Sequence, residues 1–297
     1  MKKQMIAGSP LIHRSPFIVY RLFLPAALTL FTASCAPSPA PTKPAGPPPA
    51  LTAANQALAY GRSEAQRGNV AGADRYADEA ISDAGSYLSA SPYGPEAAEA
   101  FYLQGRGYEL KVSSGPTERM GNMAQARSAY QLALGRSPSP ALEGNIRASL
   151  SNVTFFQDDF AAAIDQATQA SKLVDSGEVK GLLLFRIGVC QQRLGEFTNA
   201  DYTFNQVMQR YPGSGVAEAA REHAGQREFY IQLATYPSPE AAEKELTRLR
   251  SSGAIITRRS DAQGHTIADI GPFSTYQDAK KSKDSLGNGF PDALIVP

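Results

Sequence analysis

The chain has 297 residues, 42% hydrophobic and 19% charged, which is enough apolar material for a core without disulfide or metal staples and enough length for two domains. A net charge of +1 speaks against a polyanion such as nucleic acid, whose recognition needs a basic stripe. Two cysteines, Cys35 and Cys190, and three scattered histidines, His13, His223 and His265, exclude a disulfide framework and leave no ligand set for a metal, and no cofactor is implied.

In chain order, Lys2, Lys3, His13, Arg14 and Arg21 make a basic start. Leu22 to Phe31 (LFLPAALTLF) follows as an apolar run of ten residues, too short to cross a bilayer and of the length of a signal-peptide core. Small residues Thr32, Ala33 and Ser34 lead into Cys35. This resembles a bacterial lipoprotein signal, which implies a signal over residues 1–34 and a lipid anchor on Cys35. Thr32 departs from the pattern, since leucine is usual there, and the other reading is an ordinary secretory signal with an incidental cysteine. By the family's sorting rule, Ala36 in place of Asp implies the outer membrane, hence a periplasmic protein held on its inner leaflet. Residues 36–50 (APSPAPTKPAGPPPA) hold seven prolines and no core-forming side chain. With Cys35 they make a linker over 35–50, extended at ~3.1 Å per residue and reaching about 45 Å.

From 51 to 225 small residues recur as paired helices require. The clearest unit runs from Gly181 to Pro212: Leu184, Ile187 and Gly188 on a first helix, Gly195 and Phe197 at the turn, Ala200, Phe204 and Val207 on a second, and Pro212 as the stop. Leu150, Ser151, Phe160, Ala163, Ala167 and Ala170 repeat it. Weaker units hold Phe101, Gly105, Tyr108, Gly121, Ala126, Tyr130, Ala133 and Pro138, with Lys111 to Met120 as an inserted loop, and Gly61, Gly68, Ala73, Ala77 and Ala80. The array resembles tetratricopeptide repeats, but Ala73, Ala126, Ala163 and Ala200 are spaced by 53, 37 and 37 residues, so the repeats are divergent. Stacked helix pairs curve into a concave surface that takes a peptide or protein partner, an envelope protein in this setting; the alternative is that the array only spaces or dimerises the chain. Cys190 reads as a small buried apolar residue. His223, in a capping helix from Gly215 to Ala224, reads as solvated.

Residues 227–297 change period. Phe229, Ile231 and Leu233 alternate with Tyr230, Gln232 and Ala234 as a half-buried strand. Ser238 opens a helix lined by Ala241, Ala242, Leu246 and Leu249 and ended by Gly253. Strands follow at Ala254 to Arg259 and His265 to Ile270, joined by the turn SDAQG; Gly271, Pro272 and Phe273 break the strand, a second helix runs to about Leu286, and Ala293 to Val296 is a last strand. The fold class is therefore an all-α solenoid followed by a small α+β domain of order βαββαβ, both helices on one face of an antiparallel sheet.

The segments Phe229-Tyr230-Ile231-Gln232-Leu233-Ala234, Leu246-Thr247-Arg248-Leu249, Ile270-Gly271-Pro272-Phe273 and Pro291-Asp292-Ala293 resemble the SPOR (sporulation-related repeat) domain. The resemblance implies binding to peptidoglycan glycan strands stripped of stem peptides, across the open sheet face, and Gln232 matches the family's strand-one glutamine. Alternation puts Tyr230, Gln232 and Ala234 on that face together with His265, Ile267 and Asp269. A ring, an amide and a charge suit a sugar, which offers C–H faces and hydroxyls. Arg258, beside Arg259 at the hairpin, is a further candidate contact. Ile267 and Asp269 stand where the family often has aromatic or arginine side chains, which opens a second reading, a module that keeps its fold for protein contacts. Phe273 reads as core.

No catalytic arrangement emerges. His265 and Asp269, four residues apart on one strand, are ~13 Å from each other at ~3.3 Å per residue, too far for a hydrogen-bonded dyad, and no nucleophile elbow or phosphate loop occurs. Two functions fit: a peptidoglycan-binding lipoprotein of septal wall whose array recruits a partner, or an outer-membrane or secretion assembly scaffold whose last domain is a passive wall anchor.

Overall fold

The computed structural model describes residues 46–111, 116–240, 264–287 and 293–297, together with the backbone of 256–260 and single positions 242, 243, 246, 247 and 290. The signal, Cys35 and the start of the linker lie outside the described residues. Of the described residues, Gln192–Asp201 with Glu222–Pro297 form one compact unit and the remainder form another.

The larger unit is built from helices α1 (Pro49–Gln66), α2 (Val70–Ala90), α3 (Ala97–Leu110), α4 (Pro116–Leu134), α5 (Pro140–Phe156), α6 (Phe160–Leu173) and most of α7 (Gly177–Arg193) and α8 (Phe197–Arg210), with part of α9 (Gly215–His223). Starts are set by capping chemistry. Asn69, Ser139 and Asp159 accept from the backbone N–H groups of Gly72, Leu142 and Ala162 at 3.1, 3.4 and 3.3 Å. Prolines at the first helical positions of α1 and α5 lose no hydrogen bond there. Residues 116–120, expected within an inserted loop, are instead the first turn of α4, entered at Pro116 with Glu118 near the helix N-terminus.

One face of α2 carries Ala73, Ala77, Ala80 and Ala84, all buried, and α6 repeats this with Ala163, Ala167 and Ala170. Such small side chains let successive helices approach closely. At Gly188 a Cβ would lie 2.6 Å from the Phe204 ring, so glycine is what admits the phenylalanine across the last helix pair. The core is a chain of clusters, one around Leu51, Leu58 and Leu103, one around Tyr130, Ile146 and Val153, and one around Ala170, Val179 and Leu183. Each cluster joins neighbouring helices only, as stacked repeats require. Cys190 is fully buried in α7.

The smaller unit contains a four-stranded antiparallel sheet of order β2-β3-β1-β4, from β1 (Phe229–Tyr236), β2 (Ile256–Ser260), β3 (Thr266–Phe273) and β4 (Leu294–Val296), with helix α10 (Tyr276–Ser285) between the last two strands. Between β1 and β2, Pro239, Glu240, Ala242, Glu243, Leu246 and Thr247 are helical, and Ala242 and Leu246 are fully buried. Thr275 caps α10, accepting from the Asp278 N–H at 3.1 Å. The strand does not stop at Gly271. It pairs on to Phe273, opposite Phe229, because a bulge between Phe229 and Ile231 absorbs the extra residue of β3. Gly271 has φ +145°, and a Cβ there would lie 2.9 Å from the Tyr230 ring.

Residues outside the sheet and its helices complete this unit. Phe229 is buried between Phe197 and Tyr276, with ring centroids at 6.4 and 5.9 Å. The Arg193 guanidinium lies 4.6 Å from the Tyr276 ring centre, and that of Arg227 lies 5.4 Å from Phe197 while also pairing with Asp201. His223, expected to be solvated, is instead half-buried: its Nδ1 lies 2.8 Å from Gln192 Oε1, and the Gln192 amide donates to the carbonyls of His223 and Gln226 at 3.1 and 3.3 Å. Loss of hydration, and then the Arg193 charge, lower its pKa to about 4.

Candidate functional site

Strand pairing decides which side chains share a face, because directly opposed residues of an antiparallel pair project to the same side. Gln232 of β1 is opposite Asp269 of β3 and Leu294 of β4; Tyr230 is opposite Val296; Thr235 is opposite Ile267. These residues form one row system. Ile231 is opposite Ile270 and Ile295, and Ala234 opposite Ala268.

A second bulge, between Gln232 and Ala234, shifts the alternation of β1. Ala234, expected beside Gln232, is therefore opposite Ala268 in the other row, and Thr235 takes its place. The Gln232 Nε2 donates to Thr235 Oγ1 at 3.0 Å, and its Oε1 is buried without a hydrogen-bond partner. Thr235 escaped the sequence reading because strict alternation puts it with Ile231, and nothing about Leu233, the residue that the bulge displaces, marks an irregularity.

The structure brings Tyr230, Gln232, Ile267 and Asp269 to one side, but not as an open plate. Gln232 is 6% exposed, Ile267 7% and Asp269 not at all. Tyr230 is half-buried beside Gly271, and its hydroxyl donates to Glu228 Oε2 at 2.9 Å. His265, half-buried, immediately precedes β3. Arg258 stands opposite Ala268, and Arg259 opposite Ile267. Register thus places position 259, not 258, in line with Ile267 and Thr235; the side chains of both lie outside the described residues. Leu294, which the sequence reading passed over, is 43% exposed and next to Gln232 across the β1–β4 pair. It adds an apolar surface of the kind a sugar's C–H face packs against. The arrangement offers a phenol, a largely desolvated amide and an exposed apolar side chain in adjacent positions, with the Asp269 carboxylate wholly buried next to the amide, which suits recognition of a polar, ring-bearing ligand.

Among the described residues no group of three or more His, Cys, Asp or Glu side chains is placed to hold a metal ion, and no helix is long and apolar enough to cross a membrane.

The family model of the SPOR domain matches residues 225–297, and that of the tetratricopeptide repeat matches residues 183–214. No curated protein matches the chain. Among solved structures it is similar to YrrB, described as a TPR protein with an unusual peptide-binding site, at 20% identity and a TM-score of 0.38 over 58% of this chain and 74% of that one. It is also similar to the MamA protein, at 16% identity and a TM-score of 0.35 over 69% and 98% of the two chains.

Proposed function

We propose that this chain, which carries a SPOR domain at 225–297 and a tetratricopeptide repeat at 183–214, is a non-catalytic envelope lipoprotein that holds a protein partner against peptidoglycan. SPOR domains imply peptidoglycan binding, and tetratricopeptide repeats imply protein–protein interaction. The single observation that carries the reading is the SPOR match over a sheet that sets Tyr230, Gln232 and Asp269 on one side. Glycan strands lie across Tyr230, Gln232 and Leu294, with Ile267 and His265 beyond them and Arg258 or its neighbour Arg259 at the hairpin, while Asp269, wholly buried opposite Gln232, supports this row without touching the sugar. The preferred strands are those stripped of stem peptides, at septa. Cys35 carries the lipid, and the Pro-rich stretch spans the gap to the wall from the outer membrane. The helical array recruits or positions an envelope protein.

Fluorescence localisation tests this. A septal signal that disperses when 222–297 is deleted supports it, and loss of membrane fractionation in Cys35→Ala supports the anchor. A uniform peripheral signal indifferent to the deletion contradicts the septal role.

A further inference from the structure

The N-terminal end of β1 carries a hydrogen bond whose direction is fixed. Glu228 and Tyr230 are two residues apart, hence on one side of the strand, and the Tyr230 hydroxyl donates to Glu228 Oε2 at 2.9 Å. A phenol has one proton and a carboxylate only accepts, so the Tyr230 oxygen is left to offer a ligand its lone pairs alone. Gly271 gives the ring its place, since a Cβ there would lie 2.9 Å from Tyr230 Cδ1. Next on the same side the Gln232 Nε2 donates to Thr235 Oγ1, and the amide oxygen is the atom without a partner. Glu228, Tyr230 and Gln232 thus all present acceptors.

This end of the row is open to solvent. Glu228 is exposed, Tyr230 is half-buried, and Leu294, beside Gln232 across the β1–β4 pair, is 43% exposed. Glu228 also has no ion pair among the described residues. The neighbouring Arg227 is committed to Asp201 and to the Phe197 ring. The basic positions Arg258 and Arg259 are on β2, separated from β1 by β3. A ligand that settles on Tyr230 and Leu294 therefore meets an accessible carboxylate with no cation beside it.

We infer that Glu228 selects and orients the glycan: it receives the nitrogen of a glucosaminyl residue, as the N–H of an acetamido group or, more tightly, as the ammonium of a residue that has lost its acetyl, and it repels carboxylates. This rests on the glycan reading of the sheet and deepens it. An acceptor surface that carries a negative charge pairs with an N–H or ammonium donor, and a charge-assisted hydrogen bond is about twice as strong as a neutral one. The polarity has a consequence on strands stripped of stem peptides, because cleavage of the amide leaves a carboxylate on each muramoyl residue. Glucosaminyl and muramoyl residues alternate along the strand, so Glu228 sets its register, with a glucosaminyl residue at Tyr230 and the carboxylates turned away.

The test is binding of the full purified chain, at mildly acidic pH where amines are protonated, to β-1,4-linked hexasaccharides that share a backbone and differ at C2 or C6: oligomers of glucosamine, N-acetylglucosamine, glucose and glucuronic acid. Affinity is expected to fall in that order. Glu228→Gln keeps an acceptor for the Tyr230 hydroxyl and removes the charge. It is expected to weaken the glucosamine hexamer about tenfold and to strengthen the glucuronate hexamer, with the thermal midpoint unchanged because the side chain is exposed. Tyr230→Phe keeps the ring and is expected to weaken the N-acetylglucosamine hexamer severalfold. Equal affinity for the glucosamine and glucuronate hexamers, a preference for glucuronate, or a glucosamine preference that Glu228→Gln leaves unchanged overturns the inference. Failure to bind any hexamer by a chain that still pellets with sacculi also overturns it and leaves the glycan reading standing. Binding to neither hexamers nor sacculi overturns both.

Discussion

Gln232 and Thr235 hydrogen-bond side chain to side chain at 3.0 Å, although residues three apart in a regular strand point to opposite faces. The bulge between Gln232 and Ala234 makes the contact possible and turns Thr235 into the support of the amide that the glycan reading depends on. Thr235→Val keeps the shape and removes the hydroxyl. It leaves a buried amide unsatisfied and is expected to cost about 1–3 kcal/mol in chemical denaturation, with Thr235→Ser recovering most of it.

Gly271 tests the placement of Tyr230. Alanine there has both an unfavourable φ and a Cβ pressed on the Tyr230 ring, so Gly271→Ala is expected to destabilise the smaller unit by about 1–3 kcal/mol. A thermal melt of the variant measures it. Gly188→Ala, against Phe204, is expected to cost a similar amount in the larger unit.

His223 links stability to acid. Its folded pKa, about 4, lies below the ordinary 6.5, so between these values the unfolded chain binds a proton that the folded one refuses. The His223 contribution to stability is therefore fully present above pH 6.5 and falls as pH drops from 6.5 to about 4, by on the order of 3 kcal/mol at most. Urea titrations at pH 7 and pH 5 should show the loss, and His223→Gln should flatten it.

Asp201 acts in a lower window. The hydrogen bond from Arg227 holds its carboxyl below the ordinary 3.8, so its contribution is present above that value and lost as pH falls through the lowered one. Asp201→Asn is expected to remove that part of the acid slope. Because Arg227 and the Gly225 N–H both meet Asp201, a fragment starting at 227 lacks part of the unit's own structure and is expected to be less stable than the same segment within the whole chain.

Period and small-residue spacing made the helical pairs legible: Gly188 and Phe204 do meet as the repeat pattern requires, and the sheet has the expected four strands. The beginning of α4 was less legible, since Gly115 and Pro116 read as a loop while Pro116 is an ordinary first helical residue. The bulges were not legible at all. They depend on pairing between β1 and β3, which no local sequence reports, and each one moves a side chain to the other face. For the same reason Thr235 was missed and Ala234 misassigned. Burial of Asp269 and of His223 likewise depends on residues distant in sequence; Gln192 and His223 are 31 positions apart.

The most direct test of the central claim is co-sedimentation of the purified full chain with sacculi, intact and treated with an amidase. The account predicts pelleting that increases on amidase-treated sacculi and falls at least severalfold in Tyr230→Ala and Gln232→Ala. Absence of pelleting with either preparation, or pelleting unchanged in both variants, would contradict it.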